Sequence, residues 1–205
     1  MAVIDGDVDT GGEAVDGRAA RRQRNVDAVL DVVLQIVADD QMFPSIEQAA
    51  TRSGLSVRSL YRYFADPGEL MEATIDRQSR VSLRLATLDS IGEGPLDRRV
   101  DEYVAMRLRL HDAIGSVMRA AVANAPRFPR VAEQLDIGRR RQRAQFEAQF
   151  APELDALPAD DRRGVAAAGD LLTQIESIEF LRRHGGLSAD AASASRGSAL
   201  RALLG

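Results

Sequence analysis

The sequence predicts an all-α fold, and three observations predict it. From Val26 onward apolar residues recur at the i, i+3, i+4, i+7 spacing of amphipathic helices. Helix-start and helix-stop residues punctuate that pattern at short intervals. Beyond residue 17 there is neither an Asn-Gly nor an Asp-Gly pair and no sustained apolar/polar alternation, so hairpins have no local signal. No repeat recurs at a fixed period, which disfavours a helical solenoid.

Residues 1–17 hold Asp5, Asp7, Asp9, Glu13 and Asp16, four glycines and no basic residue. Such a stretch buries too little apolar surface to offset the entropy of ordering, so a disordered acidic tail is expected. The stripe Val26, Val29, Leu30, Val33, Ile36 and Val37, with Asp27, Asp31 and Gln35 off it, predicts a first helix over about 22–39. Ser45-Ile46-Glu47-Gln48 is a capping-box start for a second helix over about 45–52. Gly54 suits the left-handed turn between helices, and Ser56 caps a third helix over about 57–64. Asp66-Pro67-Gly68-Glu69 opens a fourth, with Asp as cap and Pro where its missing amide costs nothing. That helix should run to about 88, and Gly92, Gly94 and Pro95 then mark a boundary. Further helices are expected over about 96–112, 114–124, 129–150, 159–183 and 188–204, separated at Gly115, Pro126/Pro129, Pro152/Pro158 and Gly185-Gly186.

Composition limits the chemistry. With 205 residues, 45% hydrophobic, the chain can build an ordinary packed core in one or two domains. It has no Cys and two His, so a disulfide scaffold or thiolate metal site is excluded and a transition-metal sensor is disfavoured; no metal or other cofactor is expected. No apolar run reaches the roughly 18 residues needed to cross a bilayer, so no membrane partner is expected and a cytoplasmic location is. No Gly-rich phosphate loop, nucleophile elbow or metal-ligand spacing appears, so no catalytic residue is assigned and an enzyme is not expected. The formal net charge is −4, but all 27 basic residues are Arg, whose planar forks suit bidentate contact with phosphate or carboxylate. Two basic clusters stand out: Arg18, Arg21, Arg22 and Arg24, and then Arg52, Arg58 and Arg62. Charge alone fits a solvated helix face in each case. For the run Arg139-Arg140-Arg141-Gln142-Arg143, a solvated face or pairing with Glu133, Asp136 and Glu147 is the simpler account.

The third helix carries the functional signal. Leu60 and Phe64 share its inner face and, with Ile46, Ala49, Ala50 and Leu55, supply a core for a helix-turn-helix. Its other face shows Ser56, Val57, Arg58, Ser59, Tyr61, Arg62 and Tyr63, a set of hydroxyls, guanidiniums and phenols able to donate to phosphates and to base edges. Partly buried tyrosines on an ordinary solvated helix would present the same letters.

The run from Ser45 to Ala50, then Ser53-Gly54-Leu55-Ser56-Val57-Arg58-Ser59-Leu60-Tyr61-Arg62-Tyr63-Phe64 and Asp66-Pro67-Gly68-Glu69-Leu70, resembles the DNA-binding domain of TetR-type bacterial transcriptional regulators. The resemblance covers about a third of the chain, since cap, turn glycine, the Leu-Tyr-x-x-Phe run and the next helix start all fall at the family's spacing. It implies an all-α fold with an N-terminal three-helix helix-turn-helix DNA-binding domain and a C-terminal helical ligand-binding and dimerisation domain. The expected division is a tail at 1–17, the DNA-binding domain at 18–66, a linking helix at 67–94 and the C-terminal domain at 95–205. The implied function is a ligand-responsive regulator, most often a repressor, whose homodimer reads a palindromic operator in double-stranded DNA. It would act in the bacterial cytoplasm, at the nucleoid when bound.

Carried onto this sequence, the resemblance puts Ser45 and Tyr61 at phosphates, Val57, Arg58, Ser59 and Arg62 at bases or backbone, and Tyr63 beside the backbone, with Ser56 as cap. Arg22 belongs to a basic arm able to follow the backbone or enter the minor groove. Two departures matter. Pro67 stands where the family often has a phosphate-contacting Lys, and Arg58 stands where a small residue is common. A dimer interface is expected through the last two long helices at Leu171, Ile175, Ile178, Leu200 and Leu203. Tyr103, Met106, His111, Met118 and Phe146, with Phe128 and Phe150 nearby in type, are candidates for an effector pocket, although Met and aromatic residues at helical spacing commonly belong to the core. The alternative function is a helical protein–protein adaptor that does not bind DNA; steep salt dependence of DNA binding would separate the two.

Overall fold

The computed structural model describes residues 11–40 and 42–205. Among the described residues every regular element is helical: α1 Gly11–Asp40, α2 Ile46–Ser53, α3 Val57–Tyr63, α4 Pro67–Leu85, α5 Leu96–Asn124, α6 Pro129–Gln149, α7 Ala151–Asp155, α8 Ala159–Thr173, α9 Ile175–Arg183 and α10 Ala189–Leu204, with one 3-10 turn at Ala125–Arg127. The chain forms two compact units, the first ending at Leu70 and the second running from Met71 to Gly205.

In the first unit α1 buries Val29, Leu30, Val33, Ile36 and Val37, the stripe that the spacing predicted. Ile46, Ala49, Ala50, Leu60 and Phe64 complete this core. The expected tail needs revision. Residues 1–10 lie outside the described residues, whereas 11–17 belong to α1, so the helix begins well before position 22. Continuing an existing helix costs far less than nucleating one, which lets α1 extend through residues that would not form a helix alone.

In the second unit the core gathers Val100, Tyr103, Val104, Met106 and Leu110 of α5 with Phe146, Phe150, Leu154, Ala166, Leu200 and Leu204. Tyr103, Phe146 and Phe150 form an aromatic trio with centroids 4.9–5.7 Å apart. Gly169 makes room for it, because a Cβ there would sit 2.1 Å from Cζ of Phe146.

Element boundaries differ from expectation at four further places. Gly115 does not interrupt α5; it is buried in the helix interior, where the packing of Ile114 and Val117 outweighs the roughly 1 kcal/mol cost of a helical glycine. The segment expected as one helix over 159–183 breaks at Gln174, which is extended (φ −66°, ψ 155°). There the Thr173 hydroxyl donates to the Gly169 and Asp170 carbonyls and the Ser177 hydroxyl donates to the Leu171 carbonyl, so side chains satisfy carbonyls that a continuous helix would have used. The fourth helix ends at Leu85, short of 88, and α7 is an additional short helix. Arg99, buried on α5, holds α7 by donating to both carboxylate oxygens of Glu153 and to the Gln149 carbonyl. This guanidinium keeps the Glu153 carboxyl below its ordinary range.

Candidate nucleic-acid interface

The turn that sets α3 is built by local chemistry. The Ser45 hydroxyl accepts from the Gln48 amide while the Gln48 side chain accepts from the Ser45 amide, closing the capping box that starts α2. Gly54 ends α2 in the left-handed region at φ 70°, where any Cβ would be strained. The Ser56 hydroxyl then accepts from the Ser59 amide at 3.2 Å and lies 2.9 Å from the Ser59 hydroxyl, fixing the first turn of α3. Asp66 starts α4 by accepting from the Glu69 amide at 2.9 Å. Every start signal around α3 is therefore present as a bond.

This frame sorts α3 into two faces. Leu60 and Phe64 face the core, whereas Val57, Arg58, Tyr61 and Arg62 are exposed and Ser59 is half-buried. Arg58 has no ion-pair partner among the described residues. Glu47 of α2 is exposed, and hydrogen bonds from its own amide and from the Ser45 hydroxyl hold its carboxyl below the ordinary range, with the Tyr61 phenol a smaller contributor. An acid thus sits beside Tyr61, and the positive potential of this face comes from the guanidiniums.

Tyr63 requires a correction. It is 8% exposed, and its phenol oxygen accepts from Asn25 Nδ2 of α1 at 3.1 Å. The guanidinium carbons of Arg22 and Arg62 lie 5.8 and 5.5 Å from its ring centroid. The Asn25 bond first, then Arg62 and Arg22, lower the Tyr63 phenol from its ordinary range. Tyr63 therefore ties α1 to α3. Arg22 stands on an ordered helix, not on a loose arm, and the Tyr63 ring gathers it with Arg62 beside α3. Asn25 escaped sequence reading because an Asn off the apolar stripe carries no periodic signal.

The residues suggested for an effector pocket are mostly core. Tyr103, Met106 and Phe146 are fully buried in the aromatic cluster, where close packing leaves them no free surface. His111 is 6% exposed, and its Nε2 meets Glu179 Oε1 at 2.5 Å, so it is engaged within the protein. Met118 alone of the five lines the cavity of about 500 Å³ in the second unit, between α4, α5 and α6. The walls of that cavity include Ile75, Leu83, Leu110, Ile114, Val117 and Leu135.

The expected interface residues also need correcting. Ile175, Ile178 and Leu200 are buried within the chain's own second unit. Leu203 is half-buried, and Leu171 is 65% exposed. Phe180, 63% exposed on α9, is an apolar group of this region that the stripe did not single out. The Arg139–Arg143 run pairs largely as expected: Arg139 meets Asp136 and Glu176, and Arg143 meets Glu147. Among the described residues no helix is long and apolar enough to cross a membrane.

No family model and no curated protein matches the chain. Solved structures do. A candidate transcriptional regulator from Streptomyces coelicolor A3(2) is similar at a TM-score of 0.55 and 20% identity, over 90% of this chain and 98% of that one. A candidate TetR-family transcriptional regulator from Mesorhizobium loti MAFF303099 is similar at a TM-score of 0.52 and 18% identity, over 91% and 96% of the two chains. The chain has the all-α fold of these proteins across nearly its whole length.

Proposed function

We propose that this protein is a TetR-type transcriptional regulator, a homodimer that binds a palindromic operator through α3 and releases it in response to a small-molecule effector, and so acts as a repressor. One observation carries the reading. Val57, Arg58, Tyr61 and Arg62 stand exposed on a helix whose start is fixed by Ser56 and whose end is clamped through Tyr63, which is the presentation that reading a major groove requires. The fold shared with two candidate regulators supports it. Arg58 and Arg62 contact bases or phosphates, Tyr61 and Ser45 meet phosphates, and Arg22 adds positive charge beside α3.

The effector acts through α4. This helix begins in the first unit and supplies Ile75, Gln78, Ser82 and Leu83 to the cavity wall, so an occupant of the cavity touches the segment that leads into the DNA reader. A ligand favours release to the extent that it binds the non-DNA conformation better. Leu171 and Phe180 supply exposed apolar surface for a two-fold interface.

The test is selection of bound duplexes from a random pool, with an Arg58→Ala, Tyr61→Phe double variant in parallel. Enrichment of a palindrome by the wild type and not by the variant is the expected outcome; enrichment by neither would overturn the DNA-binding reading.

A further inference from the structure

The second unit buries two arginines without giving either an acid. Arg107 of α5 is 2% exposed and Arg196 of α10 is 1% exposed. Among the described residues no carboxylate lies within ion-pair distance of either. Nε and Nη2 of Arg107 and both terminal nitrogens of Arg196 are buried without a hydrogen-bond partner, as is the Tyr103 hydroxyl. Arg196 donates only its Nε, to the Ala192 carbonyl at 3.3 Å. Asp170 is the acid whose field reaches Arg107; burial raises its carboxyl above the ordinary range, and it accepts from Gln174 at 2.7 Å. Burial and then the charge of Arg107 push Arg196 down to about 10. A buried charge is normally paired or given up, because desolvation is costly. Arg107 has only the field of Asp170 and the face of the Tyr103 ring, 5.1 Å from its guanidinium carbon, and Arg196 has no acid, an arrangement that an anion would complete.

Arg107 also lines the 500 Å³ cavity, on the same face of α5 as the apolar Leu110, Ile114 and Val117. Three of the cavity's four glutamines have their donors engaged: Gln78 donates to the Ala113 carbonyl, Gln145 to the Ala86 carbonyl and Gln134 to Asp76, while Gln142 is half-buried on the rim. Asp76 and Arg141 are exposed members of the lining, so the fixed acid and the second cation of the cavity face solvent. Beside Gln142, Ser79 and the unpartnered Gln134 Oε1, what remains is one buried guanidinium with unspent donors next to apolar wall. That combination suits a ligand with one anionic head and an apolar body, and the volume is in the range of small-molecule sites.

We propose that the cavity binds an amphipathic carboxylic acid as its anion, with the carboxylate on Arg107, the positive field of Arg196 behind it, and the hydrocarbon or aromatic body against Ile75, Leu110, Ile114, Val117 and Leu135. The assignment deepens the effector reading and rests on it only for the consequence of binding, not for binding itself.

The experiment is calorimetric titration of the full chain, free of DNA, with decanoate, dodecanoate and 4-phenylbutanoate and with the corresponding primary alcohols. At least one acid should bind the wild type tenfold or more tightly than its alcohol. Arg107→Met, which keeps the volume of the side chain and removes the buried charge, should lose that preference tenfold while its alcohol affinity stays within about twofold. Equal binding of acid and alcohol by the wild type, binding of none of the acids, or retention of the preference by a folded Arg107→Met variant would each overturn the proposal. The wild-type comparison decides the charge question even where the variant does not fold. Because no DNA is present, a negative titration counts against this ligand class alone, and a negative duplex selection counts against the regulator reading alone.

Discussion

Arg58 stands exposed, with no ion-pair partner among the described residues, on a helix whose first turn is fixed by Ser56. Replacing it by Ala removes a potential bidentate contact while leaving the fold intact. The expected loss is about 1–3 kcal/mol of operator affinity with relaxed discrimination at one position, read by titrating a series of single-base operator variants. Gly169 makes the opposite kind of claim, about the core. A methyl group there meets the Phe146 ring, so Gly169→Ala should destabilise the protein by about 1–3 kcal/mol in chemical denaturation despite its better helix propensity. A gain in stability would show that Phe146 has another place to go. Neither residue's role can be read from the same signal. The exposed letters of α3 were legible because caps and a turn glycine fix its register, whereas the need for glycine at 169 arises from a ring more than twenty positions earlier in the chain.

At the scale of elements, the clamp between α1 and α3 and the pin between α5 and α7 are both polar contacts across long sequence distances. Asn25→Ala deprives the Tyr63 phenol of its donor, and the expected cost is on the order of 1 kcal/mol in stability together with weaker DNA binding, because Arg22 and Arg62 are gathered by the same ring. Equilibrium denaturation and duplex titration of that one variant check both halves. The Arg99–Glu153 pair adds a pH dependence. Its carboxyl titrates below the ordinary 4.5 in the folded chain, so the stabilisation is present in full above that value and is lost as pH falls through the lowered one. Glu153→Gln should cost on the order of 3 kcal/mol at pH 7, with the gap from wild type narrowing in acid, as denaturation at pH 7 and pH 3 would record. Helix positions and most caps in α2, α3, α4 and α10 follow from spacing and from single capping residues. The break at Gln174 does not, since it depends on hydroxyls at 173 and 177 capturing carbonyls inside a segment whose apolar stripe runs on without interruption. On either side of that break, Ile175 and Ile178 are buried within the second unit while Leu171 and Phe180 are exposed.

For the molecule as a whole, the exposed apolar groups Leu171 and Phe180 lie in the region that would join two copies. Phe180→Glu should shift the protein toward monomer in sedimentation at micromolar concentration and weaken binding to a palindrome far more than to a half-site; an unchanged dimer would move the interface elsewhere. The proposed carboxylate site inside the second unit is not legible in the sequence for a different reason. Arg107 sits within the run Tyr103, Val104, Met106, Leu110, where an arginine reads as the polar edge of an amphipathic helix, and only packing reveals it as buried. The positive side chains of the proposed DNA-reading surface in the first unit, in contrast, are all guanidiniums, because the chain contains no lysine. Their positive charge is consequently fixed across the physiological pH range, and enzymatic acylation of side-chain amines has nothing there to neutralise. Dicarbonyl metabolites, which condense with guanidinium groups, are the reagents to which such a surface is vulnerable.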